Sequence, residues 1–411
     1  MKHLRLFIFL SLVCMTLPLF AGEIKIDTDF PGGNIKVISI DGDNVVLEQD
    51  LRDTAGAWFY WSFRIRGAEG RTLHFTLGAP GPAVRNGSTE IHVVGVRGPA
   101  VSNDGINWHW LSDKTGFSTT KFSYTFGADE KEIYFSQCIN YTEKNLHLFL
   151  AKYKDNPLLK VETLCKSEKG RNVELLRIGK NKNAPFKVFL SSRHHCGETM
   201  GTYAMEGIIA TVLADTEDGQ WLREHCDFFM VPLVDKDGVE DGDQGKHRKP
   251  HDHNRDYILR KYYAVKAITE QVPKWAENKP LFFLDLHCPG QRGGMENESF
   301  YFVGQDGEKI TKSLQRYGEI LEKERQGTIP FTTARNILPF GKSWNTAASF
   351  HRNEQWQSCS YWGATLPDTV FVSSTDIPFA NAEGVVVDAD SARKLGNDLA
   401  RAIRVYLETL E

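Results

Sequence analysis

Phe186-Lys-Val-Phe-Leu190 runs straight into Ser191-Ser-Arg-His-His-Cys-Gly-Glu198. The first five residues are almost uniformly apolar, the mark of a strand covered on both faces. Beyond the polar loop, Thr199 to Ala214 places Met205, Ile208, Ile209 and Val212 on one helical face. The same grammar recurs downstream. Asp227-Phe-Phe-Met-Val231 and Leu281-Phe-Phe-Leu-Asp-Leu286 read as buried strands. Asn254 to Ala276 and Ser391 to Leu410 read as helices, the latter with Leu395, Leu399, Ile403 and Leu407 on one face. Strands alternating with helices predict an α/β domain, residues 153–411, with a parallel or mixed sheet. In such sheets the chemistry sits in loops past the carboxyl ends of strands.

The part before it is written differently. Asn34 to Asp41, Trp58 to Ile65, Thr72 to Leu77 and Glu90 to Val94 are short, rich in β-branched or aromatic residues, and punctuated by Gly, Pro, Asn or Asp. They predict an all-β antiparallel sandwich over residues 22–152. Its aromatic residues are read as core rather than as a carbohydrate-binding face. Of the 411 residues, 41% are hydrophobic and 25% charged, which excludes a disordered chain. The formal net charge of -4 argues against a nucleic-acid binder, whose partner surface would be strongly basic.

Residues 1–21 read as a signal peptide. Lys2 and Arg5 precede an apolar run from Leu6 to Phe20, with Ala21 at the expected cleavage point. A secreted or periplasmic protein is therefore expected, with no membrane span after signal removal. The mature chain would keep Cys138, Cys165, Cys196, Cys226, Cys288 and Cys359. Their wide spacing permits disulfides without demanding them, and no C-x-x-C pair is present.

Three polar loops follow the buried strands. In the first, His195 and Glu198 form an H-x-x-E pair at a strand-to-helix turn. His351-Arg-Asn-Glu354 has the same spacing but lies in a polar stretch with no strand beside it. His287 ends its own strand. Two imidazoles and one carboxylate, with a fourth position open to water, make the donor set of a catalytic zinc site. The third loop, Val231 to Asp256, carries Asp235, Asp237, Asp241 and Asp243, but Val239 falls where an EF-hand register needs an oxygen. His247, His251 and His253 in this loop are read as solvated or supporting residues, not as a second metal site.

Together these motifs resemble the zinc carboxypeptidase family, in particular its cytosolic-carboxypeptidase-like branch. Arg193 to Gly201 is similar to that branch's H-P-G-E-T loop. Asp237-Gly-Val and Asp252-His-Asn-Arg255 resemble its D-G-V…D-x-N-R segment, and Asp285-Leu-His287 resembles the strand carrying its third ligand. Phe30 to Asn34, Trp58 to Phe63 and Gly98 to Ser102 resemble pieces of its β-sandwich. The resemblance implies an eight-stranded mixed sheet and one Zn2+ held by His195, Glu198 and His287. It implies that Asn254 and Arg255 hold a substrate's terminal carboxylate, that Asp252 orients a zinc histidine, and that Arg248 polarises the scissile carbonyl, with Lys246 in reserve. Tyr361 is a candidate for the family's mobile tyrosine. The family's base is a Glu; here the corresponding stretch, Val370 to Ala380, carries Asp376 instead. Asp376 is the expected base, with Glu383 as the alternative.

The expected function is release of C-terminal residues from peptides with a free carboxylate. Two rivals stay open: hydrolysis of N-acyl amino acids or cell-wall stem peptides by the same site, and a catalytically impaired metal-binding homologue, motivated by Asp376.

Overall fold

A computed structural model of the chain describes residues 22–54, 59–78, 93–111, 116–179, 183–350 and 355–411. The expected signal segment, and the His351 and Glu354 of the second H-x-x-E pair, lie outside these residues.

The α/β part is built on an eight-stranded mixed sheet. Its strands lie in the order Leu159–Lys166, Asn172–Ile178, Cys226–Val231, Phe186–Ser192, Leu281–His287, Thr369–Asp376, Tyr301–Val303 and Ile337–Leu338. The four central strands, from Cys226–Val231 to Thr369–Asp376, run parallel to one another. Alternate side chains of each enter opposite cores. Val188, Leu190, Phe282, Leu284 and Phe371 pack beneath the helices Met200–Leu213, Glu308–Glu324 and Ala389–Glu408. Phe189, Phe229, Phe283 and Val372 pack against Tyr263–Ala276 and Cys359–Ala364. Covering on both faces explains why these strands are continuous apolar runs.

The helices Met200–Leu213 and Ala389–Glu408 cross closely enough to require glycine at both contact points. A Cβ on Gly396 would lie 1.9 Å from the Ala204 carbonyl oxygen, and one on Gly207 would lie 2.0 Å from that of Arg393. This crossing fixes the helix that follows the His195–Glu198 loop against the sheet.

Two sheets form the N-terminal sandwich, one of five strands and one of four. Trp61, Phe63, Phe75, Phe122 and Phe135 fill the space between them, with ring centroids 4.6 to 6.2 Å apart. They are fully buried, so the aromatics of these strands serve the core. Pairing is antiparallel except where Asn44–Glu48 lies parallel to Thr72–Gly78.

Two expected elements differ. The helix read as starting at Asn254 starts at Tyr263 (Tyr263–Ala276), because the residues before it are committed to loop contacts: the Asp256 carboxylate accepts from the Tyr262 N–H at 2.7 Å. A helix at Glu143–Ala151 interrupts the strand-rich half. It is short and buries only Asn145, Leu146, Phe149 and Leu150, too few to set up a visible helical period. The six cysteines are all free, and all but Cys165 are buried.

The sandwich also braces the third loop. The Asp53 carboxylate accepts from the Gly245 N–H at 2.9 Å, and the Gln244 side chain accepts from the Tyr60 N–H at 2.9 Å. Asn34 donates to the Gly242 carbonyl at 2.8 Å.

Candidate metal centre

The ends of the parallel strands bring His195, Glu198 and His287 together. One ligand atom from each lies within 4.8 Å of the others. His195 Nδ1 is 2.9 Å from one Glu198 oxygen and His287 Nδ1 is 2.7 Å from the other. Both imidazoles therefore turn the same nitrogen toward one carboxylate. The outward nitrogens face carboxylates of their own: His287 Nε2 lies 2.7 Å from Asp285 and His195 Nε2 lies 3.7 Å from Asp252. Histidines that ligate a metal are oriented by carboxylates in this way. Two nitrogens, one oxygen and near-complete burial fit a divalent zinc ion, and they would otherwise leave a buried anion crowded by ring nitrogens.

The electrostatics agree. Burial opposes ionisation of Glu198, but His195, Lys246 and His287 outweigh it and hold its carboxyl well below the usual range. Burial likewise opposes a charge on His287, yet Asp285 and Glu198 push its imidazole up to about 10.

Asp376 ends the strand next to that of His287, and the two residues are cross-strand partners. Tyr301 pairs with it from the other side and its hydroxyl lies 2.7 Å from Asp376 Oδ2. Burial, seconded by Glu198, raises the Asp376 carboxyl above its usual value despite the opposing Lys246. Glu383, the alternative base, is held by Arg335 at 2.9 Å.

The expected cations separate. Arg248 points away from the donor set: its guanidinium meets Asp235 at 2.5 Å, Asp243 at 2.9 Å and Asp53 at 3.8 Å. A side chain held by three carboxylates is a clamp for its own loop. Lys246 instead places Nζ 3.5 Å from the Glu198 carboxylate.

Asn254 lies beside the centre, with Nδ2 3.2 Å from His287 Nε2 and Oδ1 accepting from the Cys359 N–H at 2.9 Å. Arg255 donates to the Asn254 carbonyl at 2.7 Å, and its charge is the foremost influence opposing burial in lowering the Asp252 carboxyl. Tyr361 packs with Leu338 and Trp344 beside Tyr301.

His251 and His253 are buried, not solvated. His251 pairs with Asp256 at 2.7 Å, and His253 stacks on Tyr262 with centroids 3.7 Å apart. Burial pushes both His253 and the partly exposed His247 down to about 4. Among the described residues none of the three joins a group of metal-capable side chains.

The sequence reading passed over His194, Tyr257, Tyr301 and the support given by Asp285. A signal for Asp285 was present: two residues before His287 on one strand, it must share that residue's face.

Comparison with known proteins agrees with this geometry. The profile of zinc carboxypeptidases matches residues 143–367, more than half of the chain, and that of the cytosolic carboxypeptidase N-terminal domain matches residues 26–137. The chain belongs to the zinc carboxypeptidase family. Among curated relatives of this family, cytosolic carboxypeptidase 2 of Xenopus tropicalis is 28% identical over 227 residues, 51% of this chain and 23% of that protein. Cytosolic carboxypeptidase 6 of Caenorhabditis elegans is 22% identical over 299 residues, 66% of this chain and 63% of that protein. The match thus spans about a quarter of the first relative and under two thirds of the second. Two solved structures share the fold over nearly the whole chain. The metallo-carboxypeptidase of Burkholderia cenocepacia has a TM-score of 0.74 at 19% identity, covering 95% of this chain and 100% of that one. The metallo-carboxypeptidase of Pseudomonas aeruginosa has a TM-score of 0.68 at 21% identity, covering 94% and 100%. No helix among the described residues is long and apolar enough to cross a membrane.

Proposed function

We propose that this member of the family is a zinc-dependent carboxypeptidase acting on peptides with a free terminal carboxylate. The observation that carries the reading is the convergence of His195, Glu198 and His287 within 4.8 Å at the carboxyl ends of parallel strands, with Asp376 on the adjoining strand. His195, Glu198 and His287 would hold one zinc ion, and Asp252 would orient His195. Bound there, zinc supplies a Lewis acid and lowers the pKa of water to about 7. Asp376 takes the proton of the attacking water and returns it to the leaving amine. It is one methylene shorter than glutamate, so its reach depends on the backbone of its strand end. Lys246, rather than Arg248, faces the carbonyl oxygen as negative charge develops. Arg255 and Asn254 pair with the substrate carboxylate, which makes the enzyme an exopeptidase. The sandwich, residues 22–152, packs beside the cleft and limits access by long folded substrates.

The test is mass-spectrometric release of terminal residues from a peptide panel, with C-terminally amidated peptides, N-acyl amino acids and cell-wall stem peptides run in parallel. Zinc content is measured on the same preparations. Preferential cleavage of free-carboxylate peptides, lost in Glu198→Ala together with the metal, supports the reading. Metal uptake without turnover of any substrate would instead mark an impaired homologue with Asp376 as the cause.

Export is a further part of the proposal and rests on Lys2, Arg5 and the apolar run Leu6 to Phe20. The relatives named above are called cytosolic, so mature N-terminal sequencing after fractionation is the check. An intact Met1 in the cytosol would reject export.

A further inference from the structure

We propose that His194 is a positioning residue for the metal centre, acting with Tyr257 and Asp285 to fix which nitrogen of His287 faces the ion. The inference rests on the zinc reading above.

A buried polar chain leads away from the centre. His287 Nε2 lies 2.7 Å from Asp285 Oδ2, and His194 Nδ1 lies 2.9 Å from Asp285 Oδ1. His194 Nε2 in turn lies 2.7 Å from the Tyr257 hydroxyl, and Ser191 donates to Asp285 Oδ1 at 2.8 Å. His194, Asp285, Tyr257 and Ser191 are all at most 1% exposed, so water cannot replace any partner.

The Asp285 carboxylate is the hub of this chain. An ionised carboxylate only accepts. Ser191 donates to Oδ1, the His194 ring lies against that same oxygen as a close charge contact, and Oδ2 faces His287. On the other side of the ring the Tyr257 hydroxyl, 2.7 Å from Nε2, holds His194 against the carboxylate. Asp285, held in this way, keeps the Nε2 edge of His287 on its own side and leaves the Nδ1 edge facing Glu198 and the metal position. Without His194 the carboxylate keeps only the Ser191 hydroxyl on Oδ1 and is free to turn.

The backbone is arranged to make this contact. Arg193 adopts a φ of 64°, a left-handed conformation uncommon for a side-chain-bearing residue, and its guanidinium donates to the Cys196 carbonyl at 2.8 Å and the Tyr141 carbonyl at 2.9 Å. The turn sends two consecutive histidines to opposite sides of one centre: His195 to Glu198, His194 to Asp285. Strain of this kind persists where surrounding contacts over-determine it. The His194 and His287 rings lie nearly parallel, 24° apart with centroids separated by 5.9 Å.

The experiment measures zinc affinity by chelator competition on the full chain, with zinc content and the apo-protein melting curve recorded for every variant. His194→Leu removes both polar contacts, His194→Asn keeps a polar group against Asp285 at the Nδ1 position, and Tyr257→Phe removes only the outer link. Loss of such a partner weakens metal affinity by about 10–100-fold, the fall expected for His194→Leu. His194→Asn should recover most of that loss, and Tyr257→Phe should fall between the two. In cobalt-substituted protein the ligand-field band should shift in His194→Leu and return in His194→Asn. Unchanged affinity and spectrum in a folded His194→Leu would overturn the inference. If that variant does not fold, equal affinity of wild type, His194→Asn and Tyr257→Phe would overturn it. Two zinc ions per chain, the second lost in Cys359→Ser, would overturn it as well, since His194 and Asp285 would then be ligands. A wild type that takes up no zinc removes the zinc reading and this inference with it.

Discussion

Exchanging the roles of two neighbouring cations yields a test with opposite outcomes in stability and catalysis. Arg248 meets Asp235 at 2.5 Å and Asp243 at 2.9 Å, with Asp53 at 3.8 Å, and only 14% of its side chain is exposed. At an effective dielectric of 20 a unit pair 4 Å apart is worth about 4 kcal/mol before desolvation. Removing one partner of such a buried pair costs about 3–5 kcal/mol, because the carboxylates left behind have no counter-charge. Here up to three carboxylates lose the same cation, so Arg248→Ala belongs at the upper end of that range. A domain of this size melts about 2–4 °C lower per kcal/mol, which at about 5 kcal/mol gives a fall of roughly 10–20 °C. Lys246 lies 3.5 Å from Glu198 from a partly exposed position. Its loss strips one buried carboxylate of a counter-charge rather than up to three, so it should cost less stability than Arg248→Ala. If Lys246 holds the developing oxyanion, its removal should lower kcat about 10²–10³-fold. Thermal melts and steady-state kinetics on the same preparations, with activity read well below each melting point, separate the two. A Lys246→Ala enzyme with intact kcat, beside a folded Arg248→Ala enzyme that has lost it, would refute the assignment.

Asp376→Asn should lower kcat by about 10²–10⁴-fold with KM little changed, while Asp376→Glu should keep measurable activity. Burial and Glu198 raise the Asp376 carboxyl, so the proposed base is lost as pH falls through a value above the ordinary aspartate one of about 3.9. The acid limb of kcat/KM is therefore expected above that value, and a limb below it would exclude Asp376 as base. Arg255→Ala should raise KM for free-carboxylate peptides and erase their advantage over amidated ones, measured by competition in one reaction. Burial, seconded by Asp53, pushes Asp243 up to about 6, above its unfolded value of 3.8. That group's contribution to stability is present below about pH 4 and lost as pH rises through about 6. Asp243→Asn should flatten the denaturation profile across this window, and an unchanged slope would contradict the raised value.

What could be read in the sequence, and what could not, follows from the range of each interaction. Phe186 to Glu198 announces a buried strand, a polar turn and a helix because all three signals are local. His195 and Glu198 are three residues apart, and His287 ends a strand whose apolar run is unmistakable. Arg248 is the opposite case. Its partner Asp53 lies 195 positions upstream, on a segment of the sandwich that no local pattern connects to the loop. The same holds for Tyr301, which reaches Asp376 only because a strand adds antiparallel to the end of the parallel set.

This division has a physical consequence for how the centre is held. The proposed ligands come from the ends of two strands that share an inner sheet, a rigid element with both faces covered. The proposed cation and the proposed carboxylate clamp come from the third loop, which has only a short helix, Lys236–Asp241, and one turn of 3-10 helix, His253–Arg255, of its own. Among its fixed points, Asp53 on Gly245, Tyr60 on Gln244 and Asn34 on Gly242 are supplied by the sandwich. If Lys246 has the proposed role, weakening one of these contacts should reach catalysis without disturbing the metal. Asp53→Asn keeps an oxygen for the Gly245 N–H but removes a charge facing Arg248. It should loosen the loop and lower kcat while zinc affinity stays at the wild-type value. Parallel loss of zinc affinity and kcat in that variant would show instead that loop and ligands move as one unit.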